Sequence, residues 1–192
     1  MNYLTLIDSV HGVDNDYSAN MKAVGNVLLE AKAAEQCLKM LEAAINENVH
    51  IKPLSGYRSA KYQQMLWNRT KAEYICEGLK ESDAEKLCSR FLARVNHSEH
   101  QTGLAVDFCS PDWDDTQDDF YSTKQGRWLC KNADSFGFIL RYPRMKEHIT
   151  GIAYEPWHYR YVGTPHSEII RREGLTLEEY LYYYEDFLPF EQ

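Results

Sequence analysis

Apolar residues recur at three- and four-residue spacing through residues 18–48. Val24, Val27 and Leu28 lead on to Cys37, Leu38, Leu41, Ala44 and Ile45, which predicts a long N-terminal helical segment capped by Ser18. Residues 49–57 (VHIKPLSGY) predict a short strand interrupted by Pro53 and ended at Gly56. Ser59 is placed to cap a helix running through Tyr62, Leu66 and Trp67. Ser82, with Glu85 three residues on, predicts a capping box opening a helix over 83–95.

The second half reads differently. Residues 104–109 (LAVDFC) predict a buried strand, and 110–121 an acidic loop opened by Ser110-Pro111. Residues 123–135 predict a helix, 137–142 (GFILRY) a strand, and 157–162 (WHYRYV) an alternating strand. Thr176 with Glu179 predicts a capping box for a Tyr- and Leu-rich helix over about 176–188. Strands and helices do not alternate regularly. The expected fold is therefore α+β, a small antiparallel sheet with helices packed around it, rather than a doubly wound parallel sheet.

A length of 192 residues fits one domain over 1–192. Lys plus Arg number 21 and Asp plus Glu 29, a net charge of −8. Without a cluster of cations, this argues against nucleic-acid or anionic-lipid partners and favours a small substrate. No apolar run is long enough for a membrane span, and the N-terminus lacks a signal-peptide pattern, so a cytoplasmic protein is expected. The five cysteines, Cys37, Cys76, Cys88, Cys109 and Cys130, form no CxxC pair and are expected as reduced, buried thiols. Nothing in the sequence speaks to oligomeric state.

Two short clusters carry chemistry: Ser98-Glu99-His100-Gln101-Thr102-Gly103-Leu104-Ala105-Val106-Asp107 and Glu155-Pro156-Trp157-His158. Two imidazoles and a carboxylate form a recurrent catalytic zinc set that leaves one coordination position open. Pro156 keeps Glu155 and His158 out of a helix interior, so this is not a helical HExxH arrangement. Asp107 interrupts an apolar run, and a buried carboxylate needs a strong partner. That assigns Asp107, with His100 and His158, to a zinc ion and leaves Glu155 as the base. His11, His50, His148 and His166 have no partner at ligand spacing, and His97 reads as structural.

These segments resemble the signature of the D-alanyl-D-alanine zinc metallopeptidases: SxHxxGxAxD at 98–107 and ExxH at 155–158. Ser55-Gly56-Tyr57-Arg58-Ser59 with Gln63, the run from Phe136 to Pro143, and that from Thr150 to Gly163 extend the likeness over about 50–170. Within the family, the bifunctional D,D-dipeptidase/D,D-carboxypeptidases of vancomycin-resistance clusters are the nearest type. The resemblance implies a hedgehog/D,D-peptidase-like fold and one zinc ion on His100, Asp107 and His158. It implies Glu155 as general base and then acid, Arg58 stabilising the oxyanion, and Ser98 and Gln63 on the substrate's terminal carboxylate. The implied substrates are D-Ala-D-Ala and the peptidoglycan pentapeptide precursor. Two other readings share the fold: an L,D-carboxypeptidase acting on tetrapeptides, and a silent zinc-binding module. A third makes the C-terminal aromatic run (Tyr180, Tyr182, Tyr183, Tyr184) a partner surface.

Overall fold

The computed structural model describes residues 2–13 and 19–185. The N-terminal part opens with a hairpin, β1 (Met21–Val24) and β2 (Val27–Glu30), and only then enters helix α1 (Ala31–Asn46). This corrects the expectation of helix from residue 18; Ser18 itself lies outside the described residues. The reason is local. Val24 pairs with Val27, leaving Gly25-Asn26 as a two-residue loop, and Gly25 sits at φ +58°, which a glycine adopts without strain. Helix α1 then starts at a charged cap, where the Glu30 carboxylate accepts the backbone N–H groups of Lys32 and Ala33 at 2.8 and 3.1 Å. It buries Ala33, Ala34, Cys37, Met40 and Ala44, one stripe at helical spacing.

Strand β3 (Lys52–Ser55) and helix α2 (Ala60–Cys76) follow, the latter capped by Ser59 Oγ on the Tyr62 N–H at 3.2 Å as expected. Helix α3 spans Glu81–Cys88 rather than 83–95. Lys80 stands at its N-cap without a side-chain bond, so the Ser82/Glu85 capping box does not form. The remaining elements are β4 (Ala105–Cys109), α4 (Lys124–Asn132), β5 (Phe138–Leu140), α5 (Glu147–Thr150), β6 (His158–Tyr161), α6 (His166–Glu173) and α7 (Leu177–Tyr184). Within the acidic loop, Asp118–Ser122 forms a 3-10 turn. The Thr176/Glu179 capping box is present at the start of α7, and residues 186–188 of the expected helix lie outside the described residues.

A four-stranded antiparallel sheet in the order β3-β4-β6-β5 holds the centre, giving the expected α+β fold. Pro53 is tolerated because β3 is an edge strand. Val106 and Phe108 of β4, Phe138 of β5, and Tyr159 and Tyr161 of β6 join α1 and Leu129 of α4 in the main apolar cluster. By the two-residue alternation of a strand, Asp107 and His158 leave the opposite face of the sheet. A second cluster, Ile139, Val162, Ile170, Leu177 and Tyr180, seats α6 and α7. All five cysteines are free thiols. Cys37, Cys88 and Cys109 are buried, but Cys76 and Cys130 are exposed, contrary to expectation. No helix among the described residues is long and apolar enough to cross a membrane.

Candidate active site

The sheet register brings the chemistry together. Asp107 on β4 lies directly opposite His158 on β6 and also pairs with Ser55 on β3, so three chain segments present side chains on one face. A fourth segment, the 3-10 turn Glu99–Thr102, delivers His100 and ends at Gly103 with φ +73°. A Cβ there would stand 2.8 Å from the Glu30 backbone nitrogen, and the Gly103 carbonyl accepts that same N–H at 2.9 Å. The glycine of the HxxG motif is thus needed for both its dihedral and its close approach to the start of α1.

His100 and His158 are oriented by different acceptors. His100 Nδ1 donates to the Gly56 carbonyl at 2.7 Å. That leaves Nε2 as the lone-pair nitrogen, and it is buried without a hydrogen-bond partner, 3.2 Å from Asp107 Oδ2. His158 Nδ1 lies 3.0 Å from Asp107 Oδ1 and 3.7 Å from Glu155 Oε2, while its Nε2 faces Glu99 Oε2 at 3.4 Å. One donor atom from each of His100, Asp107 and His158 lies within 4.8 Å of the others. Ligands on a tetrahedral ion with bonds of about 2.1 Å stand roughly 3.4 Å apart, so this set fits a zinc-sized cation. With its Nδ1 proton donated to Gly56, the buried His100 Nε2 lone pair is turned toward a carboxylate oxygen, an arrangement that such an ion satisfies.

The electrostatics agree with metal-ligand chemistry. Burial, reinforced by the Arg58 charge, pulls His100 down to about 4, so the ring is neutral near pH 7, the form that can bind a metal. Burial would raise Asp107, but the two imidazoles outweigh it and hold the carboxyl well below its usual range. For His158, burial is overcome by the carboxylates of Asp107 and Glu99, and the ring rises to about 9. A cation taking Nδ1 at neutral pH therefore has to displace a proton from His158. Burial pushes Glu155 up to about 8, and a divalent ion alongside would draw it back toward ionisation.

Glu155 sits in the turn that enters β6, where its carbonyl accepts the His158 N–H at 3.2 Å. Its side chain is buried and lines a cavity with Arg58, Ser98, His100, Tyr142 and His158. Arg58 Nη2 donates to Asp107 Oδ2 at 2.9 Å, and Nε and Nη1 donate to Ser55 Oγ at 3.1 Å and Gln63 Oε1 at 3.2 Å. Gln63 stands behind Arg58 rather than on the cavity wall, and its amide nitrogen is engaged by the Ala93 carbonyl at 2.7 Å. His97 points elsewhere, its Nδ1 on the Asp8 carbonyl at 2.7 Å. Likewise His11 pairs with Asp8 and His166 with the Tyr180 hydroxyl. The sequence reading gave no role to Glu99, Arg141 or Arg160, which lie behind His158. The available signal was an arginine in the middle of an aromatic strand, WHYRYV.

Compared with known families, residues 26–164 match the profile described as VanY, D-alanyl-D-alanine carboxypeptidase. The chain belongs to this D-alanyl-D-alanine carboxypeptidase family. A family member from Enterococcus faecalis, a D-alanyl-D-alanine carboxypeptidase, is 35% identical over 93% of this chain, which spans 65% of that relative's length. The bifunctional D-Ala-D-Ala dipeptidase and D-Ala-D-Ala carboxypeptidase VanXYC of Enterococcus gallinarum is 36% identical over 94% of both chains. Among solved structures, a VanY D,D-pentapeptidase from a VanB-type resistance cassette, in complex with Zn(II), superposes with TM-score 0.85 at 34% identity, covering 94% of this chain and 99% of that one. The LdcB LD-carboxypeptidase superposes with TM-score 0.80 at 32% identity, covering 94% and 86%. D,D- and L,D-enzymes thus share this D-alanyl-D-alanine carboxypeptidase scaffold.

Proposed function

We propose that this chain is a zinc-dependent D,D-carboxypeptidase and D,D-dipeptidase. It would remove the C-terminal D-Ala from peptidoglycan pentapeptide precursors and split D-Ala-D-Ala, thereby contributing to glycopeptide resistance. The observation that carries this reading is the convergence of His100 Nε2, Asp107 and His158 Nδ1, with the buried Glu155 carboxylate beside them and outside that set.

The three converging side chains would hold one zinc ion. When bound, the ion supplies Lewis acidity, lowering the pKa of a water to near neutrality and polarising the scissile carbonyl. Glu155 takes a proton from the attacking water and returns it to the amine as the C–N bond breaks, so one water is consumed per terminal residue released. Arg58, tethered through Ser55 and Gln63, presents a fixed cation to the negative charge that develops on the carbonyl oxygen. Ser98 on the cavity wall receives the substrate's terminal carboxylate, whereas Gln63, with its amide held by Arg58 and the Ala93 carbonyl, acts by positioning Arg58 rather than by touching that carboxylate.

The test is product analysis after incubating zinc-loaded protein separately with D-Ala-D-Ala, a pentapeptide ending in D-Ala-D-Ala, and a tetrapeptide with an L,D-linked terminus. Free D-Ala from the first two is expected. Release from the tetrapeptide alone would replace the reading with an L,D-carboxypeptidase, and release from none would leave a zinc-binding module.

A further inference from the structure

Behind His158, on the side away from the proposed ion, lies a fully buried ionic network. The side chains of Glu99, Arg141 and Arg160 have no solvent exposure. Glu99 Oε1 accepts from Arg141 Nε at 2.7 Å and from Arg160 Nη1 at 2.6 Å, which leaves Oε2 facing His158 Nε2 at 3.4 Å. Arg160 and His158 are two residues apart on β6, so they leave the strand on the same face. Both arginines are themselves held. Arg160 Nη2 donates to the carbonyls of Tyr3 and Thr5 at 3.1 and 2.8 Å. Arg141 makes a two-pronged bond to Glu178 of α7, at 2.7 and 3.0 Å. Two carboxylates and two guanidinium groups balance formally.

A network of this kind is a poor device for stability, because well-packed apolar side chains often serve a core as well or better. What it does supply is an acceptor at a fixed place. A neutral imidazole carries one N–H. With Glu99 accepting at Nε2, the proton stays there and the Nδ1 lone pair faces Asp107 and the ion. His100 is set in the opposite sense, with its Nδ1–H on Gly56 and Nε2 free.

We propose that Glu99 is the positioning residue of the His158 ligand, and that Glu178 on the C-terminal helix acts through Arg141 to hold Glu99 in place. This inference rests on the zinc reading above and adds to it a coupling between α7 and the metal site.

The test uses the full chain and compares Zn(II) affinity, by competition with a chromophoric chelator, with the visible spectrum of the Co(II)-loaded protein. In Glu99→Gln the amide oxygen stays with the two arginines and the NH2 group turns to His158 Nε2. A donor there opposes the Nε2–H tautomer, so zinc affinity should fall about 10- to 100-fold and the Co(II) bands should shift. Glu178→Gln, at a position that is 15% exposed, should weaken zinc about three- to tenfold. Thr123→Ala, which removes the cap of α4, a helix that supplies no residue to the site, should lower Tm without changing either metal readout. The proposal is overturned if Glu99→Gln binds zinc within about twofold of the parent with an unchanged Co(II) spectrum, or if Thr123→Ala weakens zinc equally. Should Glu99→Gln not fold, Glu178→Gln decides alone, and affinity within about twofold of the parent overturns the proposal. If the parent itself binds no zinc, it is the zinc reading that fails.

Discussion

Replacing Glu155 by glutamine should lower kcat by about 10²- to 10⁴-fold while zinc stays at one ion per chain. Glutamine keeps the size and one acceptor oxygen but cannot take a proton from water or return it to the leaving amine. The loss of general acid–base catalysis corresponds to roughly 3–5 kcal/mol of transition-state stabilisation. KM should move little, because Glu155 is assigned to the chemical step and not to the substrate's carboxylate. Burial of a carboxyl pushed up to about 8 also has a consequence for folding. A raised folded-state pKa means that the native chain binds more protons than the unfolded one between about pH 4.5 and 8. In metal-free protein this group's contribution to stability is therefore full below pH 4.5 and lost as pH rises through 8. Steady-state kinetics with metal analysis on the same preparation check the catalytic claim. Near-normal turnover in the glutamine variant would remove Glu155 from the mechanism.

Asp107→Asn should abolish stoichiometric zinc binding and with it detectable turnover. Asp107 is the hub of the site, with Oδ1 3.0 Å from His158 Nδ1 and Oδ2 2.9 Å from Arg58 Nη2 and 3.2 Å from His100 Nε2. An asparagine keeps the shape but loses the charge, and its NH2 group must face one of these nitrogens. Arg58, whose side chain is 13% exposed, then loses its counter-charge. Breaking a buried pair from one side costs about 3–5 kcal/mol. At this chain length that amounts to a Tm decrease on the order of 10 °C in the metal-free protein. Thermal unfolding and bound-zinc analysis test both parts. One equivalent of zinc in the variant would exclude Asp107 from the ligand set.

Much of the site was legible in the sequence because its residues break local rules. Asp107 stands in an apolar strand, and Pro156 forbids a helix between Glu155 and His158. Each anomaly demands an explanation that a cation supplies. What the sequence did not carry was register. Nothing local says that Asp107 pairs with His158, or that Arg160 and Arg141 meet Glu99, because those contacts join residues 42 to 61 positions apart. Gln63 is one of two buried residues on α2, the other being Trp67 one turn away, and a polar residue on the packing side of a helix is hard to tell from one facing solvent. The hairpin at 21–30 is a different case. Val24-Gly25-Asn26-Val27 carries a two-residue turn signal, but its apolar residues also fit the helical period that α1 sets up, which masks the turn. Ser82 and Glu85 had capping-box spacing, yet the helix begins two residues earlier than that box requires, with Lys80 at the cap, and makes no use of it.

The most direct test is a crystal structure of the zinc-loaded protein with anomalous data at the zinc edge. One peak is predicted, about 2.0–2.2 Å from His100 Nε2, His158 Nδ1 and one Asp107 oxygen, with the Glu155 carboxylate adjacent and uncoordinated. A peak elsewhere, coordination through His158 Nε2, or Glu155 in the inner sphere would contradict the account.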